Sequence, residues 1–420
     1  MQIPDVPPQL LAALVEAAAG ERLALVGGVV RDLLLHRHHQ DPWRGLPDLD
    51  LVVEGRAADL VERLPKALEH HLGVPVPLRQ QHHGRYGTVE LELMLPANCG
   101  GTWLLDVASA RQETYPQPGG NPVVTPGSLE QDLARRDFTV NAMALVLNRG
   151  LSSTPQLLDP YGGQSDLARR QLCFLHAGSV RDDPTRLVRG ARYAARLDFD
   201  LASEAHDQIQ ATLEAWPWSW HLADPPINAP PALATRMRME LELMLEREPW
   251  PVGFSLLQSW SGFAILDETL QRESGWLRRL NWAQRLHLPL MLAMVASAGN
   301  PIDLGLRLHL PDRWMSDLNH AVGLCCELQN IKNSPDLIDW KPSQWCAVLE
   351  AKSRPQVVVS LALIRGARPR SVLLKWLYHW RHVKSVKSPA DLIAEGWIPG
   401  PALGAELTKR RAQALDLGTF

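Results

Sequence analysis

The sequence predicts an α+β head built on a mixed sheet with helices, followed by an all-α remainder. Three observations predict it. Short runs that alternate or stay apolar in strand fashion recur between residues 23 and 109. From about residue 129 the apolar spacing becomes mostly helical. Two acids, Asp48 and Asp50, open one strand-like run shortly after a Gly-Gly turn, a placement that suits a site at a sheet edge.

Taken in order, "LLAALVEAAAG" (10–20) reads as a first helix and "LALV" (23–26) as a strand. Gly27-Gly28 follow, then an apolar-periodic helix from Val29. "LDLVVEG" (49–55), "YGTVELELML" (86–95) and "WLLDVAS" (103–109) read as strands. "PQPGGNPVVTPGS" (116–128) holds Pro or Gly at seven of its thirteen positions and reads as a loop. "DLARRDFTVNAMAL" (132–145) reads as charge crowded at the start of an apolar helix. "WPWSWHLADPPINAPP" (216–231) reads as a linker or irregular insertion, and "PALATRMRMELELMLERE" (231–248) as a helix. Beyond it come helices broken by Gly and Pro, with the chain's fifteen tryptophans available to fill core volume.

Bulk numbers narrow the function classes. Of 420 residues, 45% are hydrophobic and 21% charged, the composition of a soluble globular protein. A formal net charge of −3 gives no global basic field, so any nucleic-acid contact must use local patches. The five cysteines form no CxxC pair, which argues against a zinc ribbon or disulfide scaffold and predicts a reducing cytoplasm. No signal peptide is expected at the N-terminus, and the longest apolar run, "LPLMLAMVASAG" (288–299), is too short to cross a bilayer, so no membrane partner is expected.

The chemistry starts at "PDLDL". On a strand, Asp48 and Asp50 point to one face, because side chains alternate. Carboxylates that close repel unless a cation lies between them, and Mg²⁺ takes one or two carboxylates plus substrate phosphates. Two such ions can activate an attacking hydroxyl and stabilise a leaving oxygen. The competing reading is a strand with one solvated face. Gly27 and Gly28 let backbone amides approach a phosphate at a helix N-terminus; Arg31 reaches that phosphate or locks the turn, the competing reading being an ordinary strand–helix turn with Arg31 paired to Asp32. Asp106 is an acid inside an apolar strand and needs a partner. It is either a third metal-facing carboxylate or a structural ion pair to Arg111 or Arg136. Arg136 is the candidate phosphate or sugar contact, oriented by Asp137. Asn141 lies four residues beyond Asp137 and can bond a ribose hydroxyl.

These stretches together resemble the bacterial (class II) tRNA nucleotidyltransferase and poly(A) polymerase family of the polymerase-β nucleotidyltransferase superfamily. The matching pieces are "GGVVRD", "DLD", "LDVASARQETY", "LARRDFTVNAMAL", "LDPYGGQSDL" and "DDPTRLVRGARYAARLDF", in the family's order across residues 20–200. Weaker likeness continues in "RMRMELELML" and "DLIAEGWIPGPALGAEL". One departure is "LLLHRHHQDPWRGLP" (33–47), which reads as an insertion before Asp48. The resemblance implies a nucleotidyltransferase head (1–150), a helical neck that recognises the base (151–215), a helical body (216–330) and a helical tail that binds tRNA (331–420). It implies template-independent addition of CMP, AMP or both to the tRNA 3′ end, with CTP and ATP as substrates, the tRNA acceptor arm as partner, Mg²⁺ as cofactor and pyrophosphate released. The rivals are a poly(A) polymerase on general RNA and a catalytically silent RNA-binding protein.

"RDDPTRLVRGARYAARLDF" (181–199) adds a base-reading argument. Cytosine and adenine each present an amino donor beside an unprotonated ring nitrogen; uracil and guanine present the reverse. A carboxylate accepting from the amino group and a guanidinium donating to the ring nitrogen therefore select C and A. Asp183 and Arg186 are one helical turn apart and suit this, with Arg189 and Arg192 holding phosphates or positioning the pair. The competing reading makes Asp183 the N-cap of a helix with Pro184 in its first position and the arginines a solvated face. Residues 365–387 carry seven Lys or Arg and no acid, with Trp376, Tyr378 and Trp380 between them. That stretch reads as a tRNA-backbone contact, or as a helix whose aromatics are core. Seven of the fifteen histidines fall in 36–83 and read as loop decoration, with a zinc site the alternative.

Overall fold

The computed structural model of the chain describes residues 3–46, 48–84, 87–147, 155–332 and 340–418. The chain divides into two compact units. The first comprises residues 1–219, 230–232 and 248–260, the second 220–229, 233–247 and 261–420. The expected head–neck boundary at 150/151 lies outside the described residues.

The first unit starts with α1 (Pro8–Ala17), β1 (Leu23–Val26), α2 (Gly28–His38), β2 (Leu49–Val53), α3 (Ala57–Leu72), β3 (Leu78–His83), β4 (Thr88–Met94) and β5 (Thr102–Ser109). Then come a ribbon of β6 (Arg111–Thr114) and β7 (Val123–Pro126), α4 (Leu129–Ala134), β8 (Ala144–Val146) and β9 (Gln156–Leu158). The seven-stranded sheet runs β3-β4-β5-β2-β1-β8-β9. Within this sheet, among the described residues, only the β2–β5 pair is parallel. On one face Ala24, Val26, Val52, Ala144 and Val146 pack with Leu129 and Leu133 of α4. Strand alternation turns Leu23, Leu25, Leu51 and Val53 to the other face, and they too are buried. The central strands are therefore apolar on both faces, and the acids within them, Asp50 of β2 and Asp106 of β5, are conspicuous.

Three expectations are corrected here. The apolar stretch "NAMALV" is not a helix: a 3₁₀ turn (Thr139–Asn141) leads into β8, which lies between β1 and β9. A short, wholly buried apolar run reads alike for helix and strand, and only its pairing decides. The loop 116–128 is not irregular throughout, since β7 pairs with β6 in antiparallel register, Glu113 opposite Val124. The histidines do not decorate loops: His36 and His38 lie on α2, His70 and His71 on α3, His82 and His83 on β3. The insertion is anchored as well. Asp41 pairs with Arg170 at 2.6 Å, and Arg44 donates to the Arg196 carbonyl at 2.9 Å.

Helices dominate from there. In the first unit they are α5 (Gly163–Arg169), α6 (Ser179–Asp182), α7 (Thr185–Leu197) and α8 (Ser203–Ala215), with short strands β10 (Gln171–Leu172) and β11 (Asp200–Leu201). The chain next supplies α9 (Thr235–Arg247) to the second unit and α10 (Trp250–Ser259) to the first. The rest of the second unit is α11 (Glu268–Arg272) to α20 (Pro401–Leu417). A buried arginine orders its interior: Arg307 donates to the carbonyls of Ile265 (3.0 Å) and Leu266 (2.7 Å), its guanidinium 5.0 Å from the Trp220 ring centre. Burial pushes its pKa down to about 10. The expected α+β head and helical remainder are thus the observed fold.

Candidate active site

Neighbouring strands bring the acids together. Leu25 of β1 stands opposite Leu51 of β2, so the turn after β1 runs beside the start of β2. On the other side β5 lies parallel, with Asp106 opposite Asp50. One oxygen each of Asp48, Asp50 and Asp106 falls within 4.8 Å of the others. The next strand adds Glu90, opposite Asp106. Sequence reading assigned nothing to Glu90; its signal was the strict alternation of "TVELELM".

Burial, reinforced by the charges of Asp48 and Asp106, pushes the Asp50 carboxyl up to about 6 despite Arg136 and Arg31. Asp106 is raised by burial, then by Asp48 and Glu90. Of its two proposed ion-pair partners, Arg111 pairs with Glu113 (3.0 Å) and Arg136 with Asp132 (3.0 Å). The three carboxyls are a hard, oxygen-only donor set that cannot ionise together cheaply without a cation, and they fit a Mg²⁺-type ion.

A pH prediction follows. Between about pH 4 and pH 6 the folded, metal-free protein keeps a proton on Asp50 that the unfolded chain has released. That contribution to stability is present below about pH 4, the unfolded carboxyl value, and is lost as pH rises through the folded value of about 6. Denaturation midpoints of chelator-treated wild type, minus those of Asp50→Asn, should fall across this window, and Mg²⁺ should reverse the fall. A flat or rising difference would contradict the acid cluster.

Beside the acids is the turn. Gly27 has φ +69°, and a Cβ there would lie 3.2 Å from Arg136 Nη1 and 3.3 Å from Asp50 Oδ2. Only glycine accepts both the conformation and the crowding. Gly28 opens α2. Arg31 is buried and pairs with Asp32, as the competing reading had it: Nε donates to Asp32 Oδ1 (2.8 Å) and Nη1 to Asn141 Oδ1 (2.8 Å). This bridge ties α2 to the turn before β8. Asn141 in turn donates to Asp137 Oδ1 at 3.2 Å, so the expected contact between them exists without the expected helix.

Arg136 is oriented by Asp132, not by Asp137 as expected. Asp132 is fully buried and holds Arg135 too, at 2.8 Å. Sequence reading missed it, although its i,i+3 and i,i+4 spacing to the two arginines was a signal. Asp137 instead pairs with Arg189 at 2.9 Å. Burial opposes its ionisation, but Arg189, Asn141, Arg186 and the Phe138 N–H together hold it below the usual carboxylate range.

The arginine row is not a solvated face. Arg186 is 3% exposed and Arg192 8%. Arg186 donates Nη2 to the Arg135 carbonyl (3.0 Å), with Nη1 3.4 Å from His176 Nε2, a neighbour sequence reading missed. Asp183 Oδ1 accepts from the Thr185 N–H (3.1 Å) and hydroxyl (2.6 Å), so the carboxylate caps the start of α7. Arg192 points elsewhere, to Glu248 (3.4 Å), which Arg196 also grips through Nε at 2.9 Å. Glu248→Ala should cost roughly 3–5 kcal/mol, because it removes the buried carboxylate that Arg192 and Arg196 share; chemical denaturation measures this, and a loss under 1 kcal/mol would count against the network.

In the basic stretch, Trp376 and Trp380 are core residues, whereas Tyr378 is half exposed. Arg365 is spent on the Ala296 carbonyl (2.6 Å), and Arg370 stacks 5.1 Å from the Trp282 ring centre. Among the described residues, no helix is long and apolar enough to cross a membrane.

Comparison with known proteins shows the family. The profile of the poly A polymerase head domain matches residues 23–173. An A-adding tRNA nucleotidyltransferase of Halalkalibacterium halodurans is 30% identical over 94% of this chain and 85% of its own length. A CC-adding tRNA nucleotidyltransferase of Deinococcus radiodurans is 39% identical over 60% of this chain and 57% of its own. An A-adding enzyme of Aquifex aeolicus is 42% identical over 43% of this chain, which spans only 19% of that longer protein. The Thermotoga maritima CCA-adding enzyme, solved in complex with tRNA, shares the fold at 23% identity with a TM-score of 0.63, over 99% of this chain and 96% of its own.

Proposed function

The chain belongs to the tRNA nucleotidyltransferase and poly(A) polymerase family, and on that premise we propose that it adds CMP, AMP or both to the 3′ end of tRNA from CTP and ATP. The carrying observation is the convergence of Asp48, Asp50 and Asp106 beside the Gly27 turn and Arg136. The Gly27-Gly28 amides and the N-terminus of α2 receive the triphosphate, because unpaired amides and the helix dipole favour an anion there. Arg136, held by Asp132, faces the same place and steadies the phosphates. Asp48 and Asp50, with Asp106 beside them, would hold a divalent ion, which when bound would neutralise charge and lower the pKa of the attacking hydroxyl. The tRNA 3′-hydroxyl attacks the α-phosphate, the bond to the β-phosphate oxygen breaks, and pyrophosphate leaves. Asn141 bonds the ribose. Asp183 and Arg186 read the base by the donor–acceptor pattern shared by C and A, while Arg189 keeps Asp137 and its turn in place. The helical second unit holds the tRNA backbone, and the enzyme works in the cytoplasm.

One assay tests the reading and divides its forms. Purified protein is given tRNAs ending before C74, after C75 and at the mature end, each with CTP, ATP or both. Addition of CC, of A or of CCA identifies the form. Unlimited extension of unrelated RNA by ATP alone identifies a poly(A) polymerase, and no incorporation on any substrate defeats the proposal.

A further inference from the structure

We propose that Glu16, His70 and His71 form a second metal site, taking one first-row transition-metal ion of the zinc type and stapling α1 to α3. Glu16 is the penultimate residue of α1, and the two histidines lie in the last turn of α3. His70 Nδ1 and His71 Nε2 each lie 2.9 Å from the same oxygen, Glu16 Oε2. All three donor atoms fall within 4.8 Å of one another. Around a zinc ion, with bonds of about 2.0–2.1 Å, tetrahedral ligands stand about 3.3 Å apart, so small side-chain adjustments close the cage.

Two imidazoles and a carboxylate are a nitrogen-rich, borderline set. It suits zinc, nickel or copper and not magnesium, which takes oxygen ligands. Two helix C-termini meet at this point, and their partial negative charges add to that of Glu16 in favouring a cation. The frame is firm. Leu10, Ala13, Leu14 and Ala17 of α1 and Leu60, Leu64 and Leu68 of α3 are all buried, and Arg63 of α3 donates to the Ala17 carbonyl at 2.7 Å. Glu16 and His71 also line a cavity of about 1170 Å³, which gives an ion access. Nothing in this site depends on the catalytic reading, since its residues are distinct from the Asp48–Asp50–Asp106 cluster.

Without metal both histidines hydrogen-bond Glu16, so geometry alone serves two roles and uptake separates them. Chelator-treated protein carrying Asp48→Asn and Asp50→Asn, which disables the acid cluster, is titrated with Zn²⁺ and, separately, Co²⁺. It should bind one equivalent at micromolar concentration, develop cobalt d–d absorption and melt at a higher temperature with Zn²⁺. Adding His71→Ala, or Glu16→Gln alone, should remove that equivalent, the absorption and the shift. Circular dichroism of each metal-free variant checks that it folds. Equal uptake with and without His71 and Glu16, or uptake only at millimolar Zn²⁺, overturns the site.

Discussion

Asp50→Asn should lower nucleotide incorporation by about a thousandfold or more, while making the metal-free protein more stable at neutral pH. The two effects have one cause. Asp50 is buried beside Asp48 and Asp106, which is why its pKa rises to about 6. At neutral pH it is ionised against that repulsion, and Asn removes the repulsion together with the metal ligand. Lost metal assistance is worth several kcal/mol in the transition state, and each 1.36 kcal/mol is a factor of ten. Incorporation of labelled nucleotide into truncated tRNA, with melting of the same preparation, reads both signs. Activity retained within tenfold would remove the acid cluster from catalysis. Asp48→Asn should behave alike in activity.

The second large effect concerns base choice. Asp183→Asn should keep the helix start, since Asn is as good an N-cap as Asp, yet weaken discrimination against UTP and GTP by about a hundredfold or more. A site built to hydrogen-bond its ligand rejects a mismatched one by about 10⁴-fold, because buried polar groups are left unpaired. Arg186→Lys should do the same from the donor side, as a lysine cannot present the planar fork that Arg186 holds against the Arg135 carbonyl. Discrimination is measured as the ratio of kcat/KM for CTP or ATP to that for UTP or GTP. An unchanged ratio in both variants would leave Asp183 as a cap and nothing more.

Asp183 also shows why one residue resisted a single assignment. Its position before Pro184 signals a helix start, and the Thr185 contacts follow that signal. The base-reading role rests on chemistry that the helix start does not exclude, because a carboxylate has room for several donors. Arg136 and Asp132 make the opposite case. Their spacing was in plain view, but Asp137 stood nearer in sequence, and the partner was chosen by which carboxylate the fold buried beside the guanidinium.

What the sequence by itself determined is the set of local periodicities and the chemistry carried on them. Strands β1, β2, β4 and β5, the Gly-Gly turn into a helix, the closeness of Asp48 and Asp50 and the helical second half were readable, since each depends on neighbours a few positions apart, whereas β3, β6, β7, β8 and β9 were not. What only the tertiary structure decided is pairing across long separations. Register set Asp106 opposite Asp50 and Glu90 opposite Asp106, and placed "ALV" as a strand between β1 and β9. Packing gave Arg192 to Glu248, Arg189 to Asp137, and His70 and His71 to Glu16. The physical reason is that a side chain's direction is fixed by its own backbone, whereas its partner is fixed by which distant segment the sheet register and the buried apolar faces bring against it.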